Sequence, residues 1–352
     1  MKLRTGFTTG TCAQAAAKAS AIMLITKRIV KKVEVETPKG VKLNLKIIDQ
    51  KIGRDFTQCA VVKDAGDDPD VTGGAKIYAK VRYSDKKGIT ITGGEGVGKV
   101  TEPGLAVGVG EYAINPTPRK MIIKEVSRYL SDEKGLEVEI SVPQGEELAK
   151  HTYNPRLGIV GGISIIGTTG IVEPKSSDAY KTSLSLQLDV LKAKGAKLAA
   201  LVPGYVGEGF CKKVLKLDDN LIIKIGDHIG FMLKECVKKG IKEVLLIGHI
   251  GKLVKVTYGQ FNTCWRFGDK RIETMMRYAK TFGASKKVIE EIRKQKTVEA
   301  TIDILTKFRL KKIFARIAKD IVARANELVD NQLQISCILL SLQGDILAKH
   351  HE

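Results

Sequence analysis

The pattern of apolar residues changes near the middle of the chain, and this change constrains the fold more than any other feature. The first part has apolar and polar residues alternating around turn residues, as in KKVEVETPKGVKLNLKII at residues 31–48. This alternation predicts two half-buried strands joined as a β-hairpin. The second part contains AKLAALVPG, LIIKIGDHIGFMLKECVKKG and IKEVLLIGHIGK. Continuous apolar strands separated by amphipathic helices are typical of a parallel α/β sheet.

The length of the chain and this change of pattern predict two domains. A chain of 352 residues is long enough to form two hydrophobic cores. We expect an α+β domain over residues 1–148 and an α/β domain over residues 149–334, with the boundary within residues 143–154. The second domain would end in a mostly helical stretch over residues 266–333. The last segment predicts a hairpin over residues 335–349, which could return to complete the sheet of the first domain.

The composition argues against membrane and disulfide-rich classes. No uncharged apolar run approaches the ~18 residues of a membrane span, and polar TGFTTGT follows MKLR where a signal peptide needs its apolar segment. The six cysteines are scattered without a CxxC pair. Neither a zinc or cluster site nor a disulfide framework is therefore indicated. We expect a cytoplasmic protein with no membrane partner.

The net charge of +20 requires an explanation. Nucleic acid is one candidate partner of so basic a chain. However, aromatic residues make up 5% of the chain, with one tryptophan, and no RRM, KH or zinc-finger signature is present. A solvated lysine surface, as in heat-adapted proteins, explains most of the excess. A small polyanionic substrate would use the remainder.

A loop rich in glycine and threonine precedes an alanine-rich segment in RTGFTTGTCAQAAAKAS, at residues 4–20. The alanines predict a helix, with Thr9 or Thr11 as its N-cap. One interpretation is an anion site of N–H groups and hydroxyls at the helix N-terminus; the other, equally weighted, is a well-capped helix packed closely against a sheet. GTTGI at residues 167–171 repeats the pattern. The candidate binding residues in the two loops are Thr8, Thr9, Gly10, Thr11, Gly167, Thr168, Thr169 and Gly170.

A second glycine-rich stretch, TGGEGVGKVT at residues 92–101, nearly matches a phosphate-binding P-loop. Val100 stands where magnesium binding needs Ser or Thr, and Pro103 interrupts the helix that should follow. We therefore reject a nucleotide-hydrolysing function. The glycines could still let a backbone approach a ligand closely, or they could form turns between strands. The candidate binding residues here are Gly93, Gly94, Glu95, Gly96 and Lys99.

An acidic loop, KDAGDDPDVTGG at residues 63–74, is unexpected in so basic a chain. It lacks the residue order of an EF-hand. Its aspartates could face a cation such as a sulfonium or a delocalised imine. The alternative is a loop in which Asx turns satisfy nearby backbone N–H groups. We favour the functional interpretation.

His249 directly follows an apolar strand in LIGHIGKLVKV, and Lys252 and Lys255 come after it. In open α/β sheets ligands bind beyond the carboxyl ends of the strands. His249 and Lys252 are therefore candidate site residues, although a single histidine is often structural.

Taken in order, six segments resemble the cobalt-precorrin-5B C(1)-methyltransferase family of anaerobic cobalamin biosynthesis. They are RTGFTTGTCAQAAAKA, DAGDDPDVTGG, ITGGEGVGKVTEPGL, INPTPRKMI, YNPRLGIVGGISIIGTTGIVEP and GHIGKLVKV. The resemblance extends from Arg4 to about Glu273. One departure is FNTCWRFGD, where Asn262 and Cys264 occupy positions that are usually histidine in the family.

The resemblance implies methyl transfer from S-adenosylmethionine to ring carbon 1 of cobalt-precorrin-5B, giving cobalt-precorrin-6A. The carboxylate rim of such a tetrapyrrole would suit the basic chain. Cobalt belongs to the substrate, and no protein metal site is expected. The G-x-G-x-x-G fingerprint is absent, so we do not expect an ordinary Rossmann methyltransferase fold.

For the chemistry that this resemblance implies, Asp67 and Asp68 are candidate groups to stabilise a cationic ring or accept its proton, and His249 is the competing base. Two alternatives are a non-catalytic tetrapyrrole carrier and a basic RNA-binding protein.

Overall fold

The protein is described by a computed structural model that covers residues 3–130 and 134–351. The chain divides into two compact units, Met1–Ser177 and Asp178–Glu352. The division lies beyond the expected boundary at residues 143–154. The reason is that residues 159–172 pair with strands of the first unit instead of starting the second.

The first unit is built mainly around a five-stranded sheet. Its elements are β1 (Gly6–Phe7), α1 (Thr9–Thr26), β2 (Lys32–Glu36), β3 (Lys42–Lys46), β4 (Ile48–Ile52), β5 (Phe56–Val62), β6 (Lys76–Ser84), β7 (Ile89–Gly93), β8 (Lys99–Val100), α2 (Pro116–Val126), β9 (Gly135–Ser141), α3 (Gly145–Ala149), β10 (Ile159–Val160) and β11 (Ile171–Val172). The sheet order is β4-β5-β6-β9-β7, antiparallel except for the β7–β9 pair. The predicted hairpin is confirmed as β2–β3.

Helix α1 is buried along most of its length. It packs against β5 and β6 of the sheet and also against α2 and β2. Alanine side chains allow this close approach on several sides at once. Its N-cap is Thr8 rather than Thr9 or Thr11, because the backbone of Thr8 is extended and its Oγ1 accepts from the Thr11 N–H at 3.2 Å. The interpretation as a capped, closely packed helix is what the structure shows.

The second unit is a doubly wound α/β sheet. Its elements are α4 (Ser177–Ala193), β12 (Leu198–Val202), α5 (Tyr205–Lys213), β13 (Ile222–Lys224), α6 (Ile229–Lys239), β14 (Glu243–His249), α7 (Ile250–Leu253), α8 (Arg271–Thr281), α9 (Lys286–Arg293), α10 (Glu299–Lys307), α11 (Lys312–Leu328), β15 (Gln334–Leu340) and β16 (Ile346–His350). The order is β13-β12-β14-β15-β16, parallel except for the β15–β16 pair. The predicted combination of an α+β and an α/β region is confirmed.

The C-terminal hairpin corrects one expectation. Strand β15 pairs with β14 from Gln334 opposite Glu243 to Leu340 opposite His249. The hairpin therefore completes the second sheet and not the first. Helix α11 packs on β15 and β16, and its buried residues recur at the spacing of one helix face. None of the described helices combines the length and apolar character that crossing a bilayer requires.

Candidate functional site

Residues 162–172, with the sequence GISIIGTTGIV, form hydrogen bonds with both the glycine-rich loop and the start of α2 in the first unit. The Ile163 N–H donates to Gly96 O, and the Gly98 N–H donates to Ile163 O, both at 3.0 Å. Ile165 lies two residues after Ile163, and its carbonyl oxygen accepts from the N–H of Asn115, just before α2, at 3.0 Å. Residues 162–172, which we call the connecting segment, thus join two motifs that are separate in the sequence, TGGEGVGKVT and INPTPRKMI.

The connecting segment then pairs with the first glycine–threonine loop. The Ile166 N–H donates to Thr9 Oγ1 at 2.9 Å, and the Gly10 N–H donates to Ile166 O at 2.9 Å. Thr11 Oγ1 donates to Gly170 O at 2.8 Å, and β1 pairs with β11. Thr9 and Thr11 are 3% and 0% exposed. The hydroxyl groups of Thr9 and Thr11 and the N–H of Gly10, which were candidates for binding an anion, therefore hold the two glycine–threonine loops together.

The glycine-rich loop is also packed against the protein itself. Gly96 has φ +68°, and a Cβ added there would lie 1.8 Å from Val142 O. A Cβ at Gly98 would lie 2.7 Å from Gly162 O. The absence of a Cβ at these glycines thus allows neighbouring backbone to approach the loop closely. This favours the interpretation that the glycines form turns between strands. Added Cβ atoms at the other candidate glycines would meet Tyr112 (from Gly93), Glu139 (from Gly94), Pro118 (from Gly10), Thr8 (from Gly167) and Thr37 (from Gly170).

Four of the candidate binding residues in this unit present exposed side chains. They are Glu95, Lys99, Thr168 and Thr169. The Lys99 ammonium lies 4.8 Å from the centroid of the Tyr112 ring. These side chains are accessible to a ligand, whereas those of Thr9 and Thr11 are not.

Two aspartates of the acidic loop stabilise the loop. Asp64 accepts from the Gly66 N–H at 2.8 Å and forms a bidentate pair with Arg4, whose hydrogen bonds lower the pKa of Asp64. Asp70 pairs at 2.6 Å with Lys63, whose side chain is 2% exposed. The Asx-turn interpretation therefore describes Asp64 and Asp70.

The other two aspartates join the acidic loop to distant segments. Asp67 Oδ2 accepts from the Arg4 N–H at 2.6 Å. Asp68 Oδ1 accepts from the Lys175 N–H at 2.7 Å. Arg4 lies two residues before β1, and Lys175 lies three residues after β11. The acidic loop and the β1–β11 pair thus form one junction, held partly by these two carboxylates.

In the second unit, the order of the strands creates a topological switch point. From β12 the chain passes through α5 to β13 on one side, and from β13 it returns through α6 to β14 on the other. Ligands bind at the carboxyl ends of the strands at such points. Lys252 lies there. Its ammonium donates to Pro203 O at 2.9 Å, just after β12, and lies 3.1 Å from the Asp227 carboxylate, after β13.

His249 is the last residue of β14, as predicted for a site residue at the carboxyl edge. Its Nε2 lies 2.7 Å from Glu299 Oε2, and Glu299 Oε1 accepts from the Leu342 N–H at 3.0 Å. Sequence reasoning missed Glu299. It lies 50 residues from His249, and a single glutamate in a charged helical region gives no local signal.

Lys255, considered together with Lys252, points into the protein. It is 5% exposed and donates to Thr263 O at 2.7 Å. Burial, and next the positive charge of Arg271, lower the pKa of Lys255. Arg271 also forms hydrogen bonds with Asp269 and thereby lowers the pKa of that carboxyl to about 2.

The two positions that depart from the histidine-containing pattern form a local turn. Asn262 Oδ1 accepts from the Cys264 N–H at 3.1 Å, and Asn262 forms a β-bridge with His228.

Among residues 3–130 and 134–351, no group of three or more His, Cys, Asp or Glu side chains is placed to hold a metal ion.

Comparison with known proteins identifies the family. Family models described as CbiD and as the C-terminal domain of CbiD match residues 1–174 and 262–351. The chain is similar to the cobalt-precorrin-5B C(1)-methyltransferase of Thermoanaerobacter sp. (strain X514), with 46% identity over 100% of this chain and 96% of that protein. The chain belongs to the cobalt-precorrin-5B C(1)-methyltransferase family.

A second relative, from Moorella thermoacetica, supports this assignment. The Moorella thermoacetica protein, also named cobalt-precorrin-5B C(1)-methyltransferase, is 44% identical over 99% of this chain and 95% of its own length. The crystal structure of cobalamin biosynthesis protein (cbiD) from Archaeoglobus fulgidus shares 31% identity, covers 80% of this chain and 85% of that one, and has a TM-score of 0.39. The family resemblance inferred from the motifs is confirmed.

Proposed function

We propose that this chain transfers a methyl group from S-adenosylmethionine to carbon 1 of cobalt-precorrin-5B, forming cobalt-precorrin-6A in cobalamin biosynthesis. The observation that carries the proposal is the 46% identity over the whole chain to a methyltransferase named for this reaction. Cobalt enters as part of the substrate. The cytoplasm is the proposed compartment, since its reducing conditions suit a protein with six free cysteines.

The charge of the chain supports a carboxylate-rich tetrapyrrole as substrate. The net charge is +20, and a substrate with several carboxylates gains from cationic groups that attract it and pair with it. We propose that Lys252 at the switch point is one such group, because its side chain is 40% exposed and its position is fixed by Pro203 O and Asp227. In the first unit, Lys99, Thr168 and Thr169 remain the proposed ligand-binding residues.

Methyl transfer to a ring carbon requires a proton acceptor once the ring has gained the methyl group. We assign this role to His249 rather than to Asp67 or Asp68. Each aspartate uses one carboxylate oxygen to bind a backbone N–H of another segment, and an aspartate is a much weaker base than histidine at neutral pH. A folded Asp68→Asn variant that loses turnover while keeping its KM would return the role to the aspartates.

The test is incubation of the purified protein with cobalt-precorrin-5B and S-adenosylmethionine that carries a labelled methyl group. We expect mass spectrometry to detect the labelled methyl group in the tetrapyrrole and S-adenosylhomocysteine in equal amount. The alternative, a tetrapyrrole carrier, predicts that the pigment binds and that no label is transferred. The second outcome would contradict the proposal.

A further inference from the structure

The imidazole of His249 is held by a carboxylate that is itself held in place. Nε2 lies 2.7 Å from Glu299 Oε2, and the other oxygen of Glu299 accepts from the Leu342 N–H at 3.0 Å. The side chains of His249 and Glu299 are about one-quarter exposed. A carboxylate fixed at Nε2 favours the tautomer in which Nε2 carries the proton.

The opposite edge of the ring packs closely against residue 251, which is glycine. A Cβ added to Gly251 would lie 2.7 Å from Cε1 and 2.9 Å from Nδ1 of His249. Both distances are shorter than Cβ contacts in real structures. Glycine at position 251 therefore allows the ring to take this position, in which Nδ1 is the nitrogen that Glu299 does not contact. Arg271 lies near this edge, with Nη1 3.8 Å from the same Cβ position, and its charge is paired with Asp269.

We propose that Glu299 and Gly251 are positioning residues that make Nδ1 of His249 the proton acceptor of the methyl transfer. This inference rests on the proposed function. Glu299 fixes the Nε2–H tautomer, so that Nδ1 carries the lone pair, and Gly251 allows the ring to lie in this orientation. The arrangement follows the logic by which a buried carboxylate orients a catalytic histidine in hydrolases.

The electrons and protons balance in this step. Carbon 1 uses a ring electron pair to form a bond to the methyl carbon, and the S–CH3 electron pair stays on sulfur, which becomes a neutral thioether. The ring gains one positive charge and then releases one proton to Nδ1 of His249, from a ring atom other than carbon 1, which is now quaternary. The resulting imidazolium is stabilised by the Glu299 carboxylate at Nε2. No further reactant is needed.

The first readout is independent of activity. Long-range 1H–15N spectra of the labelled protein report which nitrogen of each of the five histidines carries the proton, and the loss of one signal in His249→Gln assigns His249. We expect the Nε2–H tautomer in the wild-type protein. Glu299→Gln should increase the Nδ1–H form, since an amide can donate to Nε2 as well as accept from it. Asp303→Asn is the matched control, because Asp303 is an exposed acidic residue on the same helix, α10.

The second readout is steady-state methyl transfer. Glu299→Gln should lower kcat about 10–100-fold with little change in KM, and Gly251→Ala should lower kcat because the added Cβ would displace the ring. If Glu299→Gln fails to fold, the Gly251→Ala variant and the wild-type tautomer still decide the question. An Nδ1–H tautomer in the wild-type protein, or unchanged kcat in both variants, would overturn the inference alone. Absence of methyl transfer by the wild-type protein would refute the proposed function, and with it the role of His249 in this reaction.

Discussion

Replacing Thr9 by valine separates a structural from a ligand-binding role of the first glycine–threonine loop. Valine has nearly the same shape as threonine but lacks the hydroxyl. The change removes the acceptor of the Ile166 N–H, at 2.9 Å, and the donor that lies 3.3 Å from Ser164 O. Ile166 O keeps its bond from the Gly10 N–H. The main effect is therefore that the Ile166 N–H is left without its acceptor, beside the Thr9 side chain, which is 3% exposed.

An unsatisfied buried polar group costs about 1–3 kcal/mol, so we expect Thr9→Val to lower the free energy of unfolding by about 2 kcal/mol. For a unit of this size that corresponds to a fall in Tm of about 4–8 °C. Urea and thermal unfolding followed by circular dichroism measure the effect. Thr168→Val is the matched control, because Thr168 is exposed, and its stability should change by less than about 0.5 kcal/mol. Unchanged stability in Thr9→Val, together with weaker tetrapyrrole binding, would refute the reasoning.

Three further predictions concern other parts of the molecule. Gly96→Ala should destabilise the first unit by more than about 2 kcal/mol, because the added Cβ would lie 1.8 Å from Val142 O at φ +68°. Gly110→Ala, with φ +87° and open space around it, should cost only about 1 kcal/mol, and equal losses in denaturation would contradict this. The pKa of Asp269 is about 2 in the folded protein against about 3.9 when unfolded, so its pair with Arg271 stabilises the fold fully above about pH 4 and less as the pH falls toward 2. Because Asp269 is half exposed, Asp269→Asn should cost only about 1 kcal/mol at pH 6 and progressively less as the pH falls through 2; a difference independent of pH would be the contrary result. Finally, chelator treatment should leave methyl transfer unchanged, whereas lost activity that zinc or magnesium restores would reveal a protein metal site.

The elements with a strong local signal were predictable from the sequence. The alanines that follow Thr8 specify a helix that can be buried on several sides, and the structure shows α1 in that position. The apolar strands at Leu198–Val202 and Glu243–His249 specify the parallel sheet. These predictions succeed because propensity and hydrophobic pattern act within a few residues of each other.

Long-range pairing was not predictable, because sequence pattern does not say which strand lies beside which. The hairpin that begins at Gln334 completes the sheet of the second unit through β14, although its composition fits either sheet. The two glycine–threonine motifs pair with each other through Thr9 and Ile166, and the similarity of the motifs does not reveal this. Glu299 reaches His249 only because the fold brings α10 to the carboxyl edge of the sheet.

The central claim is that this chain methylates carbon 1 of cobalt-precorrin-5B. The most direct measurement is NMR of the tetrapyrrole product formed with S-adenosylmethionine that carries a 13C-labelled methyl group. Our account predicts one enriched methyl signal, coupled to the quaternary carbon 1, in the presence of this protein and not in its absence. Enrichment at another ring carbon, or tight binding of the pigment with no enrichment, would contradict it.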